Sequence, residues 1–258
     1  MLDEKKALEK IFEEGYKDIV HLPAKEAGKI LGSVLGFFNW IVYPLEKSNI
    51  YRGAKLKKFA EDIEKKFSQI PEDNRQEAKP NISIPVLEAL KYNLDEEHIK
   101  EMFMNLLTNS MDNRQNKNTH PSFVEIIKRM DNCDAQTLKA ISSAKQWPVV
   151  TPQCKIKGTD KHWAYVFPEY YIGIQIDSFD MFDISRSLKI LDSLGIIRIE
   201  TVFSLPKESY EKLKNSEMII NHFKILKTKR TSSDVELDFK EGCFLFTEFG
   251  NSFINCCL

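Results

Sequence analysis

Cysteine is scarce in this chain and shows no pairing pattern. The five residues Cys133, Cys154, Cys243, Cys256 and Cys257 are odd in number, and no C-x-x-C occurs among them. That argues against a disulfide framework and predicts reduced thiols. His21, His98, His162 and His222 lack metal-ligand spacing, and Cys154 with His162 is too small a set for zinc. There is no glycine-rich phosphate loop, no nucleophile elbow and no acidic pair placed for acid–base work. No cofactor or metal is therefore expected. An excess of one charge is also missing: 37 Lys and Arg stand against 38 Asp and Glu. Such balance speaks against a dedicated nucleic-acid binder, which would carry a basic face. The opening MLDEKKALEK has no apolar signal-peptide core, so a cytoplasmic protein is expected.

What is present is concentrated near the beginning. From Ile30 to Leu45 the only ionisable side chain is Tyr43, and from Lys47 to Ala60 there are Lys47, Arg52, Lys55, Lys57 and Lys58 without one acid. Gly28, Gly32 and Gly36 recur every four residues, which on a helix makes a smooth face for close approach of a second helix. Trp40 and Tyr43 lie between the apolar and basic parts, where amphipathic rings suit a membrane interface. The apolar run is shorter than the roughly 20 residues a span requires. Three readings stay open: a helix buried in the protein, an element in reversible interfacial or re-entrant contact with the inner membrane, with the basic run against anionic headgroups, or a true span. The glycine face would also support a homo-oligomer.

Periodicity predicts a mainly α protein, a helical N-terminal domain followed by an α+β C-terminal domain, with segments 1–80, 81–145 and 146–258. Leu8, Ile11, Phe12, Tyr16 and Ile19 keep helical spacing, as do Leu56, Phe59, Ile63 and Phe67. The polar stretch 71–80 reads as a loop or linker, with a second helical group from Pro85. Asp95 is placed to cap a helix bearing Ile99, Met102, Phe103, Leu106 and Leu107, and Pro121 opens the next. Beyond Trp147, the segments 163–167 and 171–176 suit strands. Asp183 is expected to cap a helix closed by Gly195, followed by an Ile-Ile-Arg-Ile strand. Together with Cys243–Phe246 and Thr247-Glu248-Phe249-Gly250 this resembles a winged-helix unit carrying a long insertion, 201–240, with a helix of its own from Pro206 to about Leu226. The helix in the recognition position displays Asp183, Arg186, Lys189 and Asp192, so its charges cancel.

The segment EMFMNLLTNSMD followed by His120-Pro121-Ser122-Phe123-Val124 resembles the abortive-infection alpha proteins. The likeness runs from about Tyr16 to Ile141, including Pro23, the glycine-bearing segment, Pro44–Leu45 and Pro85. It departs at Asp131-Asn132-Cys133-Asp134, where the family has a serine–proline type of turn. The resemblance implies antiviral defence in bacteria, with a phage or host protein as trigger, and supplies no mechanism. Arg114 and His120, separated by five residues, also fit the loose arginine–histidine spacing of the HEPN helical ribonucleases. There the histidine serves as acid or base while the arginine stabilises charge. The alternatives are a non-enzymatic membrane-active or partner-binding protein, a ribonuclease using Arg114 and His120, and a regulatory module.

Overall fold

The computed structural model describes residues 50–163, 166–229 and 235–258. The first amphipathic segment, Gly28, Gly32, Gly36, Trp40, Tyr43 and Lys47 lie outside them. The described residues up to Arg129, together with Asn255–Leu258, form one compact unit, and Met130–Ile254 form the other.

In the first unit four helices enclose a single core: α1 (Ile50–Ser68), α2 (Pro80–Asn93), α3 (Glu97–Ser110) and α4 (Ser122–Lys128). The 3–4 spacing of α1 puts Phe59, Ile63 and Phe67 inside, as the periodicity predicts. Helix α3 is central and touches the other three. Its Met102, Phe103, Leu106 and Leu107 are buried, each worth about 1.5–3 kcal/mol when fully removed from water. The second helix begins at Pro80 and carries Pro85 inside it, five residues earlier than the sequence suggests. Pro80 occupies the first turn, where its absent N–H costs nothing. Asp95 is not the cap of α3. It is drawn into an ion pair with Lys55, and Glu96 takes the cap position without a side-chain bond.

The second unit begins with α5 (Asn132–Ile141), set by a capping box in which Asp131 and Asp134 exchange hydrogen bonds. An antiparallel sheet follows in the order β2-β1-β4-β3, with β1 Gln146–Ile156, β2 His162–Trp163, β3 Ile197–Glu200 and β4 Val235–Phe246. The long ribbon of β1 and β4 is its backbone. Of the described residues in the segments read as strands, Trp163 ends β2, while Tyr171 and Ile176 make isolated bridges, Tyr171 with Val150. Val150 gives its N–H to Tyr171 O, away from β4, and Pro148 and Pro152 share that orientation by alternation along the strand. Neither proline is asked for a donor toward β4, which is why β1 tolerates both.

Helix α6 (Met181–Ser193) packs on α5 and leads into β3. Its cap is Asp180, and Asp183 is the reciprocal third residue of the box rather than the cap itself. Gly195 closes it at φ +73. The excursion before β4 holds two helices, α7 (Glu208–Lys214) and α8 (Glu217–Lys229), broken at Asn215–Ser216, where one continuous helix was expected. Tyr210 is fully buried there; its hydroxyl donates to Gly242 O at 2.9 Å and accepts from Leu205 N at 2.7 Å. The edge of β3 is shielded, since Ile199 N donates to Asp192 Oδ1 at 3.1 Å.

The last helix, α9 (Glu248–Cys257), starts against the backbone of Ile196. A Cβ at Gly250 would sit 1.9 Å from Ile196 O, where nothing can yield. Gly250→Ala should therefore cost about 3 kcal/mol by overpacking. Gly158→Ala meets open space and only the strain of φ +72, about 1 kcal/mol. Urea unfolding of the two variants measures the difference.

Candidate functional site

The polar segments 71–79 and 111–120 lie side by side in the first unit and are joined by side-chain hydrogen bonds. Arg75 and Asp112 form an antiparallel bridge, and Gln76 N donates to Met111 O at 2.9 Å. The amides of Gln76 and Asn116 donate to each other at 2.8 and 3.2 Å, and Asn74 donates to Asn113 Oδ1 at 3.0 Å. The stretch read as a loop or linker is a loop tied to the segment 111–120.

Arg114 and His120 both belong to this clasp, and each is engaged locally. Arg114 Nε donates to Asp112 Oδ1 at 2.9 Å and Nη2 donates to Oδ2 at 2.6 Å, a forked pair on a buried carboxylate. The guanidinium hydrogen bond holds the Asp112 carboxyl below its usual range and pushes Arg114 up. His120 instead closes the start of α4. Ser122 N donates to its Nδ1 at 3.2 Å, and Ser122 Oγ lies 2.7 Å from the same atom. That backbone bond needs a lone pair on Nδ1, so the neutral ring carries its proton on Nε2. The ring leans on Phe123 with centroids 6.1 Å apart. Among the described residues, the side-chain hydrogen bonds of Arg114 go to Asp112 and those of His120 to Ser122.

Of the basic run, Arg52 and Lys57 lie on α1, Lys58 is exposed there, and Lys55 is spent in its ion pair with Asp95. The charges of α6 are likewise matched within the second unit. Arg186 reaches Asp183 at 3.3 Å and Asp131 at 3.8 Å, and Lys189 reaches Glu169 at 2.7 Å. No group of three His, Cys, Asp or Glu among the described residues could hold a metal. Nor is any helix among them long and apolar enough to cross a membrane.

Two features escape the sequence. Cys133, Thr137 and Ser187 form a buried polar seam between α5 and α6, with Ser187 Oγ donating to Cys133 Sγ at 3.2 Å. Burial pushes the Cys133 thiol up, which suits a packing role and not a nucleophile. At the start of the excursion, Val202 and Phe203 are 86% and 69% exposed, although the backbone is tied down by Cys243 Sγ donating to Phe203 O. Neither shows periodicity, so neither could be read from spacing.

The clasp generates two expectations. Because the folded pKa of Asp112 lies below its unfolded value, its contribution is present above about pH 4 and is lost as pH falls through the folded value. Asp112→Asn should flatten that acid limb in urea melts recorded from pH 6 to pH 2. His120→Ala should cost about 0.5–2 kcal/mol through the lost cap. Wild-type stability in that variant, with loss of an RNA-cleaving activity, would instead make His120 catalytic.

No curated protein and no solved structure matches the chain. The family profile described as abortive infection alpha matches residues 51–257, thus including the whole excursion and α9. The match covers most of the chain, and the polar clasp with its His-Pro-Ser-Phe turn falls inside it. The chain belongs to the abortive infection alpha family.

Proposed function

We propose that this chain is an abortive-infection defence protein that acts by contact rather than by catalysis. Its glycine-bearing apolar segment engages the inner membrane, copies associate through the glycine face, and the second unit meets the protein that signals infection. The family match over 51–257 carries the defence role. Support for a non-enzymatic route comes from the clasp, where the one arginine–histidine pair of catalytic type is bonded to Asp112 and Ser122.

The basic run supplies attraction to anionic headgroups, about 1 kcal/mol for each cation near the surface. Lys55 contributes less than its neighbours because Asp95 already answers it. The order α6, β3, excursion, β4 fits a winged helix with an enlarged wing. Its Arg186 and Lys189 are paired with acids, which favours a protein partner over phosphates. Val202 and Phe203, held out from a pinned backbone, suit an apolar contact.

Vesicles test the reading. The whole chain should bind vesicles containing anionic lipid better than neutral ones, with salt weakening the preference. Gly32→Leu should lose leakage and protection against phage while the second unit stays folded. Equal leakage from Gly32→Leu removes the glycine face from the mechanism. Absence of vesicle binding at every salt concentration overturns the membrane route.

A further inference from the structure

The segment EMFMNLLTN carries a polar pair that the proposed function leaves unused. Asn105 and Asn109 stand four apart on α3 and so share one side of it. Asn105 is 8% exposed, and its Nδ2 donates to Cys257 O at 3.0 Å and to Leu258 O at 3.2 Å. Asn109 Nδ2 donates to Cys256 O at 2.7 Å. Lys66 Nζ donates to Asn105 Oδ1 at 2.7 Å, which fixes the amide with its oxygen toward the ammonium and its nitrogen toward the carbonyls.

The final carbonyls of a helix have no donor within the helix. The last turn of α9 carries no basic residue that could reach back to them, so the two asparagines supply their donors. Cys256 and Cys257 sit in this turn, 1% and 0% exposed. We infer that residues 255–258 form a latch on the first unit, held shut by Asn105 and Asn109, which opens as a single turn and bares the adjacent thiols of Cys256 and Cys257 while the rest of the chain stays folded.

Amide–carbonyl bonds of this kind are individually modest, and helix ends open at lower cost than whole units. While shut, burial pushes the Cys257 thiol well up and suppresses its thiolate. Once open, two neighbouring thiols face water and become a ligand pair for a thiophilic reagent. The inference is independent of the membrane reading, because it needs only the clamp and the buried thiols.

All five cysteines are buried thiols, so N-ethylmaleimide labelling of the native whole chain, located by mass spectrometry, reports the latch directly. Asn109→Asp keeps the side-chain shape but turns an acceptor toward Cys256 O. It should speed labelling of Cys256 and Cys257 about five-fold or more, leaving Cys133, Cys154 and Cys243 unchanged. Lys66→Met leaves both asparagines in place and frees the Asn105 amide to turn, so it should give the same selectivity at about two- to three-fold. A simultaneous rise at all five thiols, or no change at Cys256 and Cys257 in either variant, overturns the latch. If Asn109→Asp does not fold, Lys66→Met decides by the same criterion.

Discussion

Helix α3 is enclosed on nearly every side, and that enclosure governs the first unit. Ile99, Met102, Phe103, Met104, Leu106 and Leu107 spread around the helix rather than along one stripe, so α1, α2 and α4 are all needed to cover it. Over most of its length such a helix leaves little water to its polar side chains. Asn105, Thr108 and Ser110 must find partners in the protein, and each does: Thr108 and Ser110 donate to carbonyls one turn back, and Asn105 reaches the end of α9. Unmet, each would carry the cost of a buried polar group without a partner, about 1–3 kcal/mol. The polar pattern of the EMFMNLLTN segment is thus a consequence of the apolar one.

The second unit answers a different constraint. Its sheet has two long strands and two short ones, and a ribbon of that kind is marginal without cover. Helix α6 covers one part, and Tyr210, Leu213 and Ile219 of the excursion close a core with Val150, Cys154 and Phe167. Tyr210 is the pivot, because its hydroxyl both donates to Gly242 O and accepts from Leu205 N, and a phenylalanine would leave Leu205 N without that acceptor. The excursion is therefore part of the core and not an appendage to it.

Much of the helical plan was legible in the chain. Helical spacing located α1, the dense apolar set after Asp95 located α3, Pro121 located the start of α4, and the Leu-Gly junction located the end of α6. The mistakes have physical causes. Asp95 and Asp183 are good caps by residue type, but a distant lysine captured the first, and Asp180, three residues earlier, made the second its partner. Strand β1 was missed because two prolines and alternate polar residues hide its pattern, while the aromatic segment around Tyr171 mimics a strand and supplies only a bridge. The candidate pair Arg114 and His120 was visible as a spacing. Its engagement by Asp112 and Ser122 was not, since partners two residues away leave no periodic trace.

The prolines of β1 also fix how the ribbon can be assembled. With Val150 pointing its N–H away from β4, Pro148 and Pro152 fall on the side that owes no donor. Slide β1 by one residue and both rings turn toward β4, deleting two ladder bonds and moving Val150 from the core to the opposite face. A neighbouring chain trying to pair with β1 in an arbitrary register meets the same obstruction. The strand thus carries its own alignment key, one that rejects mispairing during folding and discourages growth of extended β-assemblies from this ribbon.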